Sequence, residues 1–325
     1  MSRRRFVAAG LALGLSAFVA GRAAAQAFPS KPIRLLVGYP PGGLPDTTAR
    51  LLAQRMSESL GQQLIIENRP GAGGSLACEV VAKAAPDGYT LLIADLGQAA
   101  INLALYPNLP YDTLRDFAPI TSIGSSPFFL AAHTGSGIPT WRDLVETARA
   151  KPGRITYGSS GNGSPAHLAT EILKSISRLD LVHVPFKGSG QSLPALIAGQ
   201  VDLLFTVLPT TAAAVKAGQV KLLGVASDER SSQAPEVPTF AELGVKGMRM
   251  TPSVSLLAPA ATPKAVVALL AAEAAKAIRH PETLKRFAAL GIDPIGNSPE
   301  AYAASLRADI AYFARAVKAT GAKID

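Results

Sequence analysis

The chain has 325 residues, 48% hydrophobic and 17% charged, with 32 Lys and Arg against 23 Asp and Glu. That length suits about two domains with real cores, and the low charge excludes a disordered polyelectrolyte. One cysteine and four scattered histidines (His133, His167, His183, His280) exclude a disulfide framework, a Cys-rich zinc site, a CxxC redox centre and a paired-histidine metal site.

Ser2-Arg3-Arg4-Arg5-Phe6 opens an uncharged run from Phe6 to Ala20, followed by the small residues Ala23–Ala27. A spanning helix needs ~20 apolar residues, so this 15-residue run reads as the core of a cleaved signal over 1–27. Cleavage falls after Ala25 or Ala27. The Ser-Arg-Arg-x-Phe order fits a twin-arginine export signal, and a general secretory signal is the other reading. Loss of Arg3, Arg4, Arg5 and Arg22 takes four charges from +9 and leaves +5. The remaining Lys and Arg do not cluster, which argues against nucleic acid as partner. A mild positive field still favours small anions.

Strands are predicted at Ile33–Val37, Leu64–Glu67, Thr90–Ala94, Ile155–Ser159, Leu181–Val184, Asp202–Thr206, Val220–Ala226 and Ser253–Leu257. Segments of helical period lie between them, such as Leu52, Met56, Leu60 before Gly61, and Leu168, Ile172, Ile176. This alternation predicts an α/β protein with parallel sheets covered by helices. Thr140, Ser164, Thr262 and Ser298 read as N-caps, the last three followed by Pro. The last helix should bury Tyr302, Leu306, Ile310, Phe313 and Val317 and stop at Gly321. The uncharged stretch from Phe117 to Trp141 is too broken by Pro119, Pro127 and Pro139 to span a membrane. Ile123–Ala132 and Ser253–Leu257 read as crossings between two lobes.

Two glycine-rich turns each follow a strand and open a helix: Gly38 to Asp46, and Tyr157 to Pro165. Glycines let the backbone approach a ligand, and helix N-termini attract anions. Two such turns facing one cleft would hold a carboxylate or phosphate. Asp46 can serve its own helix instead, Ser164 is a cap whether or not it touches ligand, and His167 can equally pack. Cys78 reads as a small buried residue. No catalytic or metal-ligating set emerges. Gly158-Ser159-Ser160-Gly161-Asn162 lacks the last glycine of a nucleophile elbow. Gly161–Ala166 does match a dinucleotide-binding turn, which keeps an exported NAD(P)-dependent oxidoreductase as the rival reading. Its expected acid is missing, since Asp180 begins the next strand rather than ending it.

Several ordered landmarks go further: Phe28–Arg34, Glu67–Gly74, Ala85–Thr90, Leu105–Asp112, Gly158–His167, Val182–Lys187 and Gly199–Leu203. Together they resemble the extracytoplasmic solute receptors of tripartite tricarboxylate transporters, the Bug family, over essentially all of Phe28–Asp325. The resemblance implies a two-lobed periplasmic binding protein fold (type II-like) with a ligand cleft between lobes. Residues 28–127 plus 254–325 would form one lobe and 128–253 the other. It implies a non-enzymatic, cofactor-free, monomeric receptor that closes on a small carboxylate and docks on membrane transporter subunits. A receptor feeding a sensor kinase is a variant of the same reading. Carried over by position, the ligand residues are Tyr39, Gly42, Gly43 and Asp46 on one lobe and Ser159, Ser160, Asn162, Ser164 and His167 on the other. Loops at Asp95-Leu96-Gly97 and beyond Phe205 complete the walls, adding Gly97 and Thr206. Leu44-Pro45 replaces the family's common Gly-Thr, and Thr206-Val207 stands where relatives commonly carry Asp and Asn. The pocket should therefore be less polar and suit a carboxylate with an apolar body and no ammonium, with Asp46 and Asp95 as the remaining acidic partners.

Overall fold

The computed structural model describes residues 28–162, 164–186 and 189–320. The expected signal segment 1–27 and the helix stop at Gly321 lie outside the described residues. Continuous Ile/Leu/Val runs make strands buried on both faces, as parallel sheets require. The first half of the chain forms β1 (Ile33–Val37), α1 (Leu44–Leu60), β2 (Leu64–Asn68), α2 (Ser75–Ala82) and β3 (Thr90–Asp95). Two single turns, α3 (Asn102–Leu105) and α4 (Thr113–Asp116), lead to β4 (Phe117–Ser125). Next come β5 (Phe128–His133), α5 (Trp141–Ala150), β6 (Thr156–Ser159), α6 (Pro165–Ser177), β7 (Val182–Pro185) and α7 (Ser189–Ile197). They are followed by β8 (Leu203–Val207), α8 (Leu208–Lys216) and β9 (Val220–Val225). The chain ends with β10 (Ser253–Pro259), α9 (Lys264–Arg279), α10 (Pro281–Ala289), β11 (Asp293–Pro294) and α11 (Pro299–Thr320). The eight predicted strands all form, within one or two residues of the expected ends.

Two sheets result. The first has the order β11-β4-β10-β3-β1-β2, and the second β7-β6-β8-β5-β9. In the first, Ile33, Leu35 and Val37 pack against α1 and α9, while Leu36 and Leu92 face α2 and the start of α11. In the second, Leu130, Tyr157, Leu203 and Phe205 face α5 and α6, while Ala131 and Leu204 face α7 and α8. In both sheets the glycine-rich turn sits at the C-terminal end of a parallel strand, β1 or β6, where the next helix begins.

The chain passes from the first sheet to the second through Ser126 and Pro127 and returns at Met250–Pro252. The two crossings lie side by side, with Ser126 N donating to Pro252 O at 2.8 Å and Phe128 N to Met250 O at 3.2 Å. A single crossing strand over Ile123–Ala132 is not what forms. Pro127 carries no N–H, so the ladder stops at Ser125 and restarts at Phe128. Pro119 is accommodated inside β4 because the register against β10 shifts next to it, between Leu256 and Leu257.

Thr140, Ser164 and Ser298 cap their helices, accepting the backbone N–H of Asp143, His167 and Ala301 respectively. Thr262 does not. Its N–H closes a turn onto Pro259 O, Pro263 takes the N-cap position, and the Thr262 hydroxyl is buried without a partner. The predicted stripe on α11 is buried at Tyr302, Leu306, Phe313 and Val317 and half-buried at Ile310, and it serves both sheets. Tyr302 and Leu306 pack under the first, whereas Phe313 and Val317 join Leu168 and Ile172 beneath the second. Among the described residues, no helix is long and apolar enough to cross a membrane.

Candidate functional site

The first turn is built on Asp46. It sits in the first turn of α1, is buried, and accepts from Gly42 N at 2.9 Å, Asn68 Nδ2 at 2.9 Å and Arg50 Nε at 2.9 Å. Asn68 Nδ2 also donates to Tyr39 O at 3.0 Å, so both sides of the turn are tied to one carboxylate. Burial alone would push that carboxyl up, but the bonds from Arg50, Gly42 and Asn68 together hold it below the ordinary carboxylate range. Gly42 has φ 92°, a conformation that suits glycine. Gly43 occupies the N-cap position with no side-chain cap, so α1 presents an uncapped N-terminus.

The second turn is built on Ser159. Its buried Oγ lies 2.6 Å from His183 Nε2 and meets both Gly161 N and Gly161 O at 3.1 Å. Pairing of β6 with β7 places Tyr157 beside His183. The His183 ring stacks on Tyr157 at 4.8 Å and on His167 at 4.1 Å. Burial, with His167 second, pushes the His183 imidazole down to about 4, and burial lowers His167 as well. Both rings are therefore neutral near pH 7. The stack continues through Tyr157 Oη to Glu171 Oε1 at 2.5 Å, and Lys174 Nζ holds the same oxygen at 2.7 Å.

Two cavities adjoin these turns. One, about 390 Å³ with its open mouth, lies between Leu44 and Pro45 at the start of α1, Asp95–Gly97 and Ile101, Pro165 at the start of α6, and Pro252 with Ser253. The other, about 1150 Å³ with its open mouth, is lined by Ser160, Ala166, Phe205, Thr206, Val207 and Thr210, with Phe128 and Leu193 among the apolar walls. Both border the start of α6, where Pro165 lines the first and Ala166 the second. Asp95 is the one charged side chain in either described lining, and neither contains Lys or Arg.

The structure sorts the expected site residues into three sets. Ser160 and Thr206 line the larger cavity and Gly97 the smaller. Gly42 and Gly43 are exposed beside the α1 N-terminus, and Asn162 is exposed within the second turn. Tyr39 bonds through its hydroxyl to Asp95, Ser164 caps α6, and Asp46, Ser159 and His167 stand behind the turns they fix. Sequence reasoning placed Pro252 and Ser253 at the return crossing but gave His183 no role in the site. The parallel alignment of β6 and β7 was the one available signal for His183. Asp180 precedes β7, whereas the turn adjoins Pro185 at its far end, so the dinucleotide reading lacks its acid. Among the described residues, no group of three or more His, Cys, Asp or Glu could hold a metal.

Residues 48–321 match the family described as Tripartite tricarboxylate transporter family receptor. The chain is 32% identical to Protein BugT of Bordetella pertussis over 310 residues, 95% of each chain. The structure of R. palustris Rpa4515 with adipate is similar at 33% identity and TM-score 0.77, covering 91% of this chain and all of that one. MatC from Rhodopseudomonas palustris with bound malate is similar at 32% identity and TM-score 0.72, covering 89% of this chain and all of that one.

Proposed function

The chain belongs to the tripartite tricarboxylate transporter receptor family, and from that premise we propose that it is an exported, non-enzymatic receptor for a small organic carboxylate. The observation that carries this reading is the meeting of two helix N-termini, α1 and α6, at one cavity whose lining has no cationic side chain. An anion there is held by backbone N–H groups and helix dipoles rather than by Lys or Arg. Relatives bound to adipate and malate support the same ligand class. The backbone at Gly42, Gly43 and Gly97 and the hydroxyls of Ser160, Ser164 and Thr206 are the contacts we assign to it. Tyr39, Asp46, Ser159, Asn162 and His167 shape the turns that present them.

The lobes are taken as residues 28–127 with most of 254–325, and 128–253, bridged by α11. Ligand that contacts both sides favours closure by its extra affinity for the closed form. The closed form then docks on the membrane subunits of the transporter from the periplasmic side. Calorimetric titration of the mature protein with malate, adipate and aliphatic monocarboxylates, beside NAD⁺ and NADH, tests this. A carboxylate should bind and the nicotinamides should be silent. Nicotinamide binding with every carboxylate silent would overturn it.

A further inference from the structure

Asp95 is the one acid facing the site. Its carboxylate lies over Gly97, where an added Cβ would be 3.1 Å from Oδ1. Gln98 N donates to Oδ1 at 2.9 Å, and further bonds come from the Gly97 backbone and the Tyr39 hydroxyl. The carboxylate also lines the smaller cavity, where it is the one acid that a bound ligand would meet. Leu44, Pro45 and Pro165 line that same cavity, so Asp95 shares it with the two helix N-termini.

Two carboxylates brought this close repel unless a donor stands between them. Burial already pushes the Asp95 carboxyl up, so a ligand acid placed bare against it would be costly. The larger cavity beyond is walled chiefly by Phe128, Leu193, Leu204, Phe205 and Val207, which suits hydrocarbon. Resting on the receptor reading above, we propose that Asp95 selects the ligand by accepting a hydrogen bond from a hydroxyl or ammonium on the carbon next to the bound carboxylate. The substrate class is then a 2-hydroxy- or 2-amino-monocarboxylate with an apolar tail. This revises the sequence expectation of a ligand without ammonium, because Asp46 is turned into its own loop while Asp95 lines the cavity.

The test is calorimetric titration of the mature chain with isocaproate, 2-hydroxyisocaproate and leucine, with malate and adipate alongside. One or both substituted acids should bind roughly tenfold or more tighter than isocaproate, the worth of a charge-assisted hydrogen bond. The hydroxy acid and leucine separate the two donor sources. Asp95→Asn keeps an oxygen for Gln98 N and should erase most of the leucine or hydroxy-acid advantage while leaving isocaproate binding equal or stronger. Asp95→Ala, checked for folding by circular dichroism, should do the same. Isocaproate or adipate binding as tightly as the substituted acids would overturn the role of Asp95 and leave the receptor reading standing, and malate, a 2-hydroxy acid with a second carboxylate, binding more tightly than all of them would overturn the apolar tail. A preference that survives both substitutions would overturn it too. Silence from every carboxylate would defeat the receptor reading and this inference with it.

Discussion

At the scale of single residues, the second turn depends on an imidazole that must stay neutral. His183 shares a 2.6 Å contact with the Ser159 hydroxyl and stacks on both Tyr157 and His167. Glu171 and Lys174 are the charged groups facing the stack, and they neutralise each other. Protonating His183 puts a charge against a partly buried neighbour ring and competes for the Ser159 oxygen. In the unfolded chain a histidine titrates near pH 6.5, whereas in the native protein His183 titrates at about 4. Between these values the unfolded state binds more protons, so stability falls as pH drops from about 6.5 toward 4. Urea unfolding at pH 7, 5.5 and 4.5 should show this loss, and His183→Phe should flatten that part of the profile. An unaltered profile in the variant would assign the loss to other groups.

At the scale of elements, the α6 N-terminus joins folding to binding. Ser164 accepts His167 N at 3.3 Å, and losing such a cap to Ala costs about 0.5–2 kcal/mol. Ser164→Ala should lower the denaturation midpoint by that modest amount and weaken carboxylate binding by a larger factor, because the same end of α6 borders both cavities. A folded variant with unchanged affinity would remove this end from the anion site. The cap and its Pro were legible because their signals act within one turn of chain. Thr262 carried the same Thr-Pro signal and failed, since Pro259, three residues upstream, drew its N–H into a turn. The strand from Phe117 was unread because Pro119 argues against a central strand unless the partner's register shifts, and that shift lies in β10, over 130 residues away. The two turns were found by their glycines. What holds them was not, because Asn68 and His183 reach the turns from neighbouring strands, where pairing rather than spacing decides contact.

At the scale of the whole molecule, the two sheets are joined by more than their crossings. Leu96, Ala100, Ile101 and Leu105, which follow β3 of the first sheet, are buried with Trp141, Leu168 and Phe205 of the second. Helix α11 adds Phe313 and Val317 to that core while Tyr302 and Leu306 stay under the first sheet. Arg249 pairs with Asp309 on α11, and Tyr312 Oη donates to Gly247 O at 3.0 Å, so the end of the helix is strapped to the second lobe. Such apolar continuity should make the lobes unfold together, since neither can expose its share of the common core alone. Trp141, the single tryptophan, packs edge-on to Phe240 at 5.4 Å and reports the second lobe alone. In the unaltered protein, denaturant unfolding followed by Trp141 fluorescence and by far-ultraviolet circular dichroism should coincide. Phe313→Ala removes a side chain that is 2% exposed, and truncation of a buried Phe costs about 3–5 kcal/mol. Because that loss falls on the shared core, the two curves should separate in the variant, with Trp141 reporting the earlier transition. Curves that already separate in the unaltered protein, or that shift together in Phe313→Ala, would show that α11 does not couple the lobes.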